Sequence, residues 1–240
     1  MRGVLVTGAS SGIGRAVAEA FAALGDRVVM HYGSNKPELI EGDGHALVQG
    51  DLSDPVAARR IADFAEEALG GVDVLVNNAA IATGPENAHA VPDVSYADWQ
   101  RSFQETFGVN VFGTANLTYS VARNLIARGA PGHVVNIGSR GAFRGEPDHP
   151  AYGASKAALH SLGQSLAVSL APHGIAVATV APGFTMTSRV ADRVDDALRA
   201  QSPFGRVGTA EEVAAAVVYL ASSDWASGAV LDLNGASYLH

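Results

Sequence analysis

The sequence predicts an α/β fold in which a doubly wound sheet of about seven parallel strands carries helices on both faces. Two observations predict this fold. Short apolar, β-branched runs alternate with longer helical patterns along the chain. These runs are almost wholly apolar, which is typical of parallel strands that are covered on both faces. Strand, helix and strand in repeated order imply right-handed crossovers, and a length of 240 residues suits one domain spanning 1–240.

The positions of these patterns give the individual elements. We predict strands at residues 4–6, 27–31, 46–49, 72–76, 133–137, 175–180 and 230–233. We predict helices at residues 14–24, 55–69, 96–128, 150–171 and 210–221. The stretch 181–209 has neither a strand nor a long helix and holds several prolines and glycines. Long irregular segments of compact domains are usually functional, so we expect a substrate lid near 183–208.

Charge and composition exclude several functional classes. Lys plus Arg total 16 and Asp plus Glu total 24, so the net charge is −8. An acidic chain lacks the basic surface that non-specific nucleic-acid binding uses, so we expect no nucleic-acid partner. No apolar run is long enough to span a membrane, and Gly8 interrupts the apolar N-terminal run, so we expect neither a membrane segment nor a signal peptide. The absence of cysteine excludes thiol chemistry and agrees with a cytoplasmic location.

A glycine-rich turn follows the first predicted strand and opens a helix. Its sequence is Thr7-Gly8-Ala9-Ser10-Ser11-Gly12-Ile13-Gly14. Glycines let the backbone turn tightly and approach a pyrophosphate, while the helix N-terminus offers N–H groups and a positive dipole end. The alternative is an ordinary glycine-rich βα turn, but the strand–turn–helix context favours dinucleotide binding. The predicted cofactor contacts in this turn are Gly8, Ser10, Ser11, Gly12, Ile13 and Gly14.

Tyr152 and Lys156 lie four residues apart in a helical pattern, so their side chains share one face. A nearby ammonium favours the phenolate, and so does the positive end of a helix that begins near Pro150. A phenol tuned in this way can donate or accept a proton near neutral pH. The alternative is an exposed tyrosine beside a solvated lysine. The sequence thus indicates Tyr152 as an acid/base and Lys156 as its partner.

The spacing Gly-x-x-x-Gly-x-Gly of the turn resembles that of the short-chain dehydrogenase/reductase family, whose members have a Rossmann-type fold. The resemblance runs along the whole chain and is strongest to 3-oxoacyl-[acyl-carrier-protein] reductase-like members. Further segments match family motifs, namely Asp51-Leu52, Asn77-Asn78-Ala79-Ala80 and Pro182-Gly183 with Thr185 and Thr187. The resemblance implies that cofactor contacts also come from Asp51, Leu52, Asn78, Ala79, Tyr152, Lys156, Pro182, Gly183, Thr185 and Thr187.

The same resemblance implies two more catalytic positions. Ser139 follows the fifth strand, at the carboxyl end where ligands of open α/β sheets sit, and stands 13 residues before Tyr152 as in the family. Asn110 lies between Gly108 and Gly113 in the long middle helix, where the glycines favour a kink. Family members use the serine to hold the substrate oxygen and the asparagine to connect a proton-relay water. We therefore expect an NAD(P)-dependent oxidoreductase acting on a CH–OH or C=O group, with Asn110, Ser139, Tyr152 and Lys156 as its catalytic residues.

The end of the second strand indicates which nicotinamide cofactor is used. A carboxylate there would hydrogen-bond the ribose 2′-hydroxyl of NAD and repel a 2′-phosphate. The sequence instead has Tyr32-Gly33-Ser34-Asn35-Lys36, with no acid before Glu38. Small polar side chains and a lysine can hold a phosphate. We therefore favour NADP(H) over NAD(H), with Tyr32, Ser34 and Asn35 as contacts; the alternative is a polar loop that does not discriminate.

The substrate is less defined than the reaction. Arg140 or Arg144 can bind an anionic group, but ion pairs with Glu146 and Asp148 are the commoner arrangement. The histidines lack metal-type spacing and are expected mostly at the surface or as capping residues, so we predict no catalytic metal. We expect a small-molecule carbonyl or alcohol substrate, with an acyl thioester among the options.

Two further expectations concern partners and an alternative function. The family resemblance implies a homotetramer or homodimer that forms through the long middle helices and the final strand. The alternative function is a catalytically inactive NADP(H)-binding sensor or scaffold protein. The presence of all four predicted catalytic residues favours the enzyme.

Overall fold

The predicted doubly wound parallel sheet is confirmed in the structure, a computed structural model that describes residues 1–188 and 190–239 apart from the side chain of Asp192. Seven parallel strands form the main sheet in the order β3-β2-β1-β4-β5-β6-β9, and β7 pairs with β8 in a small second sheet. The strands are β1 Gly3–Val6, β2 Arg27–Tyr32, β3 Ala46–Gln49, β4 Val74–Asn77, β5 Gly132–Ile137, β6 Ile175–Pro182, β7 Thr185–Met186, β8 Gly208–Thr209 and β9 Val230–Leu233.

Helices cover both faces of this sheet. They are α1 Gly12–Ala23, α2 Pro55–Leu69, α3 Tyr96–Phe107, α4 Thr114–Arg128, α5 Gly141–Arg144, α6 Pro150–Leu170, α7 Asp196–Arg199 and α8 Ala210–Leu220. The main correction concerns the predicted helix 96–128, which is two α-helices joined by a π-helical turn at Gly108–Gly113. The glycines at its two ends predicted a kink here, and a π turn is a recognised cause of one.

Two apolar clusters pack against opposite faces of the sheet. Alternate residues of β1 point to opposite sides, so that Val4 and Val6 join the cluster under α1 and α8 while Leu5 joins the cluster under α2 and α4. All three side chains are fully buried. This two-sided burial explains why the strands are almost wholly apolar in sequence, and it directs the polar site residues to the strand ends.

The predicted lid segment is more regular than expected. β6 extends to Pro182, and the two short strands β7 and β8 pair at the base of the segment, with Thr185 opposite Gly208. Asp195 caps the short helix α7 by accepting a hydrogen bond from the Leu198 amide at 2.8 Å. The prediction that 181–209 holds no strand is therefore wrong, because residues 181 and 182 still pair with β9 in the main sheet and the next residues pair with the far end of the segment.

Among the described residues, no helix combines the length and apolarity needed to cross a membrane.

His31 in β2 connects the turn after β1 to the end of β3. Its Nδ1 lies 3.3 Å from the Gly8 amide, and its Nε2 lies 3.0 Å from the Gly50 carbonyl oxygen. The amide can only donate and the carbonyl can only accept, so the ring is neutral and carries its hydrogen on Nε2. Burial lowers the pKa of His31, because the charged form is poorly solvated inside the sheet.

The π turn approaches the backbone that follows β3. A Cβ atom added at Gly113 would lie 2.5 Å from the Leu52 carbonyl oxygen, whereas one added at Gly108 would meet only the Ser53 Cβ, at 3.5 Å. Both glycines have helical dihedral angles. Gly113 is therefore required by this close approach, and Gly108 is not.

We expect Gly113→Ala to lower the free energy of unfolding by about 1–3 kcal/mol, because the new methyl group forces the π turn away from Leu52. Gly108→Ala is the matched control, since alanine favours helical conformations by up to about 1 kcal/mol over glycine. Urea denaturation followed by circular dichroism measures both variants. Equal stability of the two variants would contradict the assignment of the close approach.

The buried neutral His31 predicts a loss of stability in acid. The unfolded chain takes up a proton on this side chain below about pH 6.5, whereas the folded state resists protonation. Stability is thus fully present above that pH and falls as the pH drops towards the lowered pKa of the folded state. His31→Asn removes the titration while keeping an acceptor for Gly8. We expect its melting temperature to fall less than that of the parent when the pH is lowered from about 7.5 to about 5.5, a range that spans the reference pKa of histidine. The exposed His173→Asn is the control and should behave as the parent does.

Candidate active site

The glycine-rich turn has the geometry of a cradle for a phosphate group. Gly8 and Gly12 have positive φ angles of 62° and 57°, which disfavour other residues. A Cβ atom at Gly14 would lie 2.3 Å from the Gly8 carbonyl oxygen and 2.4 Å from the Asn78 amide nitrogen. Asn78 in turn donates to the carbonyl oxygens of Thr7 and Gly8, at 2.9 Å each. The turn is therefore held by the loop after β4, and position 14 has room for glycine only.

The first turn of α1 faces the start of the lid segment. Ser11 is the N-cap of α1, and its side chain makes no capping hydrogen bond. Ile13 packs against the core and so fixes the helix to the sheet. A Cβ atom at Gly12 would lie 3.0 Å from the Thr187 Cγ2. A dinucleotide pyrophosphate fits this arrangement, because the cradle offers helix N-terminal amides and excludes a side chain from the approach to the backbone.

The loop after β2 lies beside this turn. The Ser10 hydroxyl donates to the Asn35 carbonyl oxygen at 2.7 Å, which joins the two segments. Tyr32 is half-buried at the strand end, and Ser34 is exposed. Asp51 is also exposed and accepts hydrogen bonds from the amide and hydroxyl of Ser53, at 2.9 and 2.8 Å. The structure thus brings these predicted cofactor contacts to the same edge of the sheet as the glycine-rich turn.

Leu52 and Ala79 are placed differently from Asp51 and Asn78. The Leu52 side chain is buried in the core cluster, where its backbone approaches the π turn. The amide of Ala79 donates to the Thr7 hydroxyl at 3.0 Å, and its Cα is 2.8 Å from the position of a Cβ at Gly8. The backbone of Ala79 therefore packs against the glycine-rich turn and that of Leu52 against the π turn, while the side chain of Leu52 points into the core.

Pro182, Gly183 and Thr185 lie between the end of β6 and the lid segment. The Gly183 amide donates to the Leu233 carbonyl oxygen at 3.0 Å, and the Thr185 hydroxyl donates to the Gly183 carbonyl oxygen at 3.2 Å. Pro182 pairs with Leu233 at the last position of the sheet. These contacts hold this group of predicted cofactor contacts at the carboxyl ends of β6 and β9.

Lys156 is buried beneath the candidate site. Its Nζ donates to the carbonyl oxygen of Ile137, the last residue of β5, at 2.7 Å, and lies 5.8 Å from the centre of the Tyr152 ring. Burial lowers the pKa of Lys156 from 10.5 to about 8, because the ammonium loses its hydration. The group is still mostly protonated at pH 7, so a cation stands beside the predicted acid/base. The four-residue spacing brings the two side chains together as the sequence predicts.

Ser139 stands at the carboxyl end of β5, where the sequence places it. Its hydroxyl oxygen accepts a hydrogen bond from the Gly141 amide at 3.0 Å, which leaves the hydroxyl hydrogen to donate elsewhere. The Ser139 amide donates to the His160 Nε2 at 3.3 Å. A Cβ atom at Gly138 would lie 2.1 Å from that nitrogen, so the neighbouring residue must be glycine. His160 of α6 thereby fixes the backbone that carries Ser139.

Asn110 lies in the π turn and is 1% exposed. Its Oδ1 accepts from the Ile81 amide at 2.8 Å, and its Nδ2 donates to the Ile81 carbonyl oxygen at 3.2 Å. The same Nδ2 donates at 3.0 Å to the Ser155 hydroxyl, which donates at 2.8 Å to the Tyr152 carbonyl oxygen. Asn110 is thus joined to the first turns of α6 through Ser155, a residue that the sequence analysis missed.

Arg140 has other partners than the sequence suggests. The expected ion pair with Glu146 or Asp148 is wrong, because the guanidinium donates to the Ser237 hydroxyl and, at 2.6 Å, to the Gln201 side-chain oxygen. The cation also lies 4.9 Å from the centre of the Phe184 ring. Burial lowers the pKa of Arg140, and the charge of Arg144 lowers it further. These contacts tie the residue after Ser139 to the lid segment and to the C-terminal tail.

Three histidines, which the sequence analysis expects mostly at the surface or as capping residues, are buried. His31, His89 and His160 are at most 5% exposed and hydrogen-bond to backbone groups around the candidate site. A histidine in a sequence without metal-type spacing gives no signal of such a role, since its partners are distant along the chain. Within residues 1–188 and 190–239, no three metal-binding side chains cluster.

Comparison with known proteins agrees with this geometry. A family model described as "Enoyl-(Acyl carrier protein) reductase" matches residues 8–235. The chain is 35% identical to an L-rhamnose 1-dehydrogenase (NAD(P)(+)) of a Sphingomonas species, over 99% of this chain and 96% of that protein. It is 33% identical to a 3-oxoacyl-[acyl-carrier-protein] reductase of Salmonella typhimurium, over 98% of this chain and 96% of that one.

A solved structure has the same fold. A short-chain dehydrogenase of Burkholderia cenocepacia in complex with NADP superposes with a TM-score of 0.85 at 32% identity, covering 98% of this chain and 97% of the other. The matches span nearly the whole chain and include the turn, the strand ends and the site described above. The chain therefore belongs to the short-chain dehydrogenase/reductase family and is an NAD(P)-dependent oxidoreductase acting on alcohol and carbonyl groups.

Proposed function

We propose that this oxidoreductase uses NADP(H) in one dinucleotide-binding domain, residues 1–240, to interconvert a carbonyl group and a secondary alcohol, with Tyr152 as the acid/base. The observation that carries the proposal is the buried Lys156, whose Nζ contacts the carbonyl oxygen of Ile137 at the end of β5 and lies 5.8 Å from the centre of the Tyr152 ring, with Ser139 two residues after Ile137. A bound nicotinamide supplies hydride to the carbonyl carbon, or accepts it from the alcohol.

The proton and the polarisation of the substrate oxygen come from the protein. Ser139 accepts from Gly141, so its hydroxyl hydrogen is available to the substrate oxygen. Tyr152 donates its phenolic proton to the same oxygen during reduction and recovers a proton from solvent. The Lys156 cation stabilises the phenolate that remains by electrostatic attraction. Asn110, which the π turn holds beside Ser155, is proposed to connect a relay water to this group.

The relatives suggest two substrate classes. One is named for a sugar and the other for a 3-oxoacyl group on a carrier protein. Either substrate presents an oxygen to Ser139 and Tyr152, so the reacting centre does not distinguish them. We propose a small carbonyl or alcohol substrate, and the assay panel should include L-rhamnose, simple ketones and an acetoacetyl thioester.

We propose that the protein forms a homotetramer or a homodimer and is located in the cytoplasm. Exposed apolar side chains support the oligomer. Phe112 and Tyr119, in the π turn and α4, are 60% and 68% exposed. Val168 on α6 is 79% exposed, and β9 forms an edge of the sheet. Large apolar side chains in such positions are typical of interfaces between subunits. The absence of cysteine fits the reducing cytoplasm.

We expect Tyr152→Phe to lower kcat by about 10²–10⁴-fold, since it removes the proton donor while keeping the ring. The dissociation constant of NADPH should stay within about threefold, a change of less than 1 kcal/mol. Initial rates against the panel and a fluorescence titration with NADPH measure the two quantities. Tyr219→Phe, on the exposed face of α8, is the control and should retain full activity.

Other outcomes of this experiment separate the alternatives. Near-normal kcat in Tyr152→Phe would remove the tyrosine from the mechanism. Tight NADPH binding by the parent without turnover of any carbonyl would favour the sensor or scaffold function. Failure to bind either nucleotide would contradict the proposed role of the glycine-rich turn.

The cofactor preference has its own test at Tyr32. A carboxylate at this strand end should repel the 2′-phosphate, so we expect Tyr32→Asp to weaken NADPH binding by about tenfold or more, equivalent to about 1.4 kcal/mol, with NADH little changed. Tyr32→Asn is the uncharged control and should keep the preference of the parent. Parallel titrations with both nucleotides give the ratios. A parent that binds NADH as tightly as NADPH would overturn the preference.

A further inference from the structure

The helix that carries Tyr152, Ser155 and Lys156 begins without a local side-chain cap. His149 occupies the N-cap position and makes no capping hydrogen bond with its side chain, and Pro150 at the next position has no N–H group. The amides of Tyr152 and Gly153 turn back to the His149 carbonyl oxygen, at 3.0 and 3.2 Å. The remaining N–H of the first turn belongs to Ala151, a fully buried residue, so it needs a partner from elsewhere in the chain.

His89 provides that partner from a position 62 residues away in sequence. Its Nε2 lies 3.1 Å from the Ala151 amide nitrogen, and its Nδ1 lies 2.7 Å from the Asn87 carbonyl oxygen. Since an amide donates and a carbonyl accepts, the ring is neutral with its hydrogen on Nδ1. Both ring nitrogens are satisfied in this single tautomer, and the side chain is 3% exposed.

Packing fixes the orientation of this ring. Trp99 and Phe103 of α3 contact it edge-on, with ring centres 6.0 and 6.2 Å away, and the centre of the His149 ring is also 6.0 Å away. The backbone amide of His89 also donates to the Asp148 carbonyl oxygen at 2.8 Å. The residue is thus attached to the start of α6 through both its backbone and its side chain.

The loop that carries His89 reaches the candidate site at its other end. We call residues 81–89 the bridge loop. Asn110 holds its first residue, Ile81, by two hydrogen bonds, and His149 Nε2 contacts the Gly84 carbonyl oxygen at 2.9 Å near its middle. Asn110 is itself linked through Ser155 to the carbonyl oxygen of Tyr152. The bridge loop therefore spans from the π turn to the first turn of α6, and hydrogen bonds connect both of its ends to that turn, one through Asn110 and Ser155 and the other directly.

We propose that His89 is a positioning residue for the reaction, whose neutral imidazole caps α6 and thereby sets the position of the Tyr152 hydroxyl relative to Ser139. This inference rests on the proposed function of Tyr152. Loss of the cap leaves a buried amide unpaired and releases the first turn of α6, which carries Tyr152. The Gly8–Gly14 turn lies on other elements, so cofactor binding should be largely insensitive to the change.

Three substitutions separate the cap from simple packing. His89→Phe keeps an aromatic ring and removes both polar atoms. His89→Gln places its side-chain oxygen near the position of Nε2, where it can accept from Ala151, whereas the shorter His89→Asn places its oxygen nearer the position of Nδ1. We expect kcat to fall about tenfold or more in His89→Phe and His89→Asn and to stay within about threefold in His89→Gln. The NADPH dissociation constant should change less than about threefold in all three variants.

Equal kcat in the glutamine and phenylalanine variants would overturn the proposal, as would a parallel loss of kcat and NADPH affinity. Spectroscopy of the parent gives a test that needs neither a stable variant nor turnover. In ¹⁵N-histidine spectra, His89 should show a protonated Nδ1 and an unprotonated Nε2 at pH 7, opposite to His31, and the Ala151 amide should be protected from hydrogen exchange. The other tautomer or a charged ring at His89 would contradict the cap. If the tautomer is as expected but no substrate turns over, the proposed function fails and the cap does not.

Discussion

A buried ammonium at the end of β5 is the constraint on which the candidate site depends. Burial holds the pKa of Lys156 at about 8, below its ordinary 10.5, and each unit corresponds to about 1.4 kcal/mol, so keeping the charge inside costs roughly 3 kcal/mol. The hydrogen bond to Ile137 offsets part of this cost. An apolar side chain of similar length would avoid it, so stability does not account for the lysine. The surrounding structure must therefore be rigid enough to hold a cation against Tyr152.

That rigidity comes from polar contacts between segments that are distant in sequence. The apolar clusters fix the strands and the helices that cover them, but they do not include the polar side chains of the site. There, Asn78 shapes the glycine-rich turn, Asn110 holds the bridge loop, and His160 holds the backbone of Ser139. Each of these side chains is paired with backbone groups, which fixes loops that have no ladder of their own. The site is thus built by buried polar side chains on a frame built by apolar ones.

This division explains what could be predicted from the sequence. The strands and the α/β class follow from apolar runs, and the proximity of Tyr152 and Lys156 follows from helical spacing, because both are local patterns. The partners Asn110 of Ser155, Ala151 of His89 and Gln201 of Arg140 could not be predicted, since each lies 45 or more residues away in sequence. The π turn was visible in the sequence only as a pair of glycines, and the contact that requires one of them, between Gly113 and the Leu52 backbone, is tertiary. Local rules therefore identify the reacting groups, whereas their alignment depends on tertiary contacts.

Arg140 makes the same kind of long-range polar contact, between the residue after Ser139 and the predicted lid segment. It is adjacent to Ser139 in the chain, and its guanidinium binds Gln201 of the lid segment and Ser237 of the C-terminal tail. Arg140 is 4% exposed, and a buried guanidinium without acceptors is destabilising, so its bonds to Gln201 and Ser237 hold the segment 183–208 and the C-terminal tail against it. The backbone amide of Arg140 also donates to the Pro182 carbonyl oxygen at 3.1 Å, which joins the Ser139 backbone to the start of that segment. The backbone next to Ser139, the segment 183–208 and the C-terminal tail are therefore joined through one residue, so the position of Ser139 depends on contacts that lie far from it in sequence.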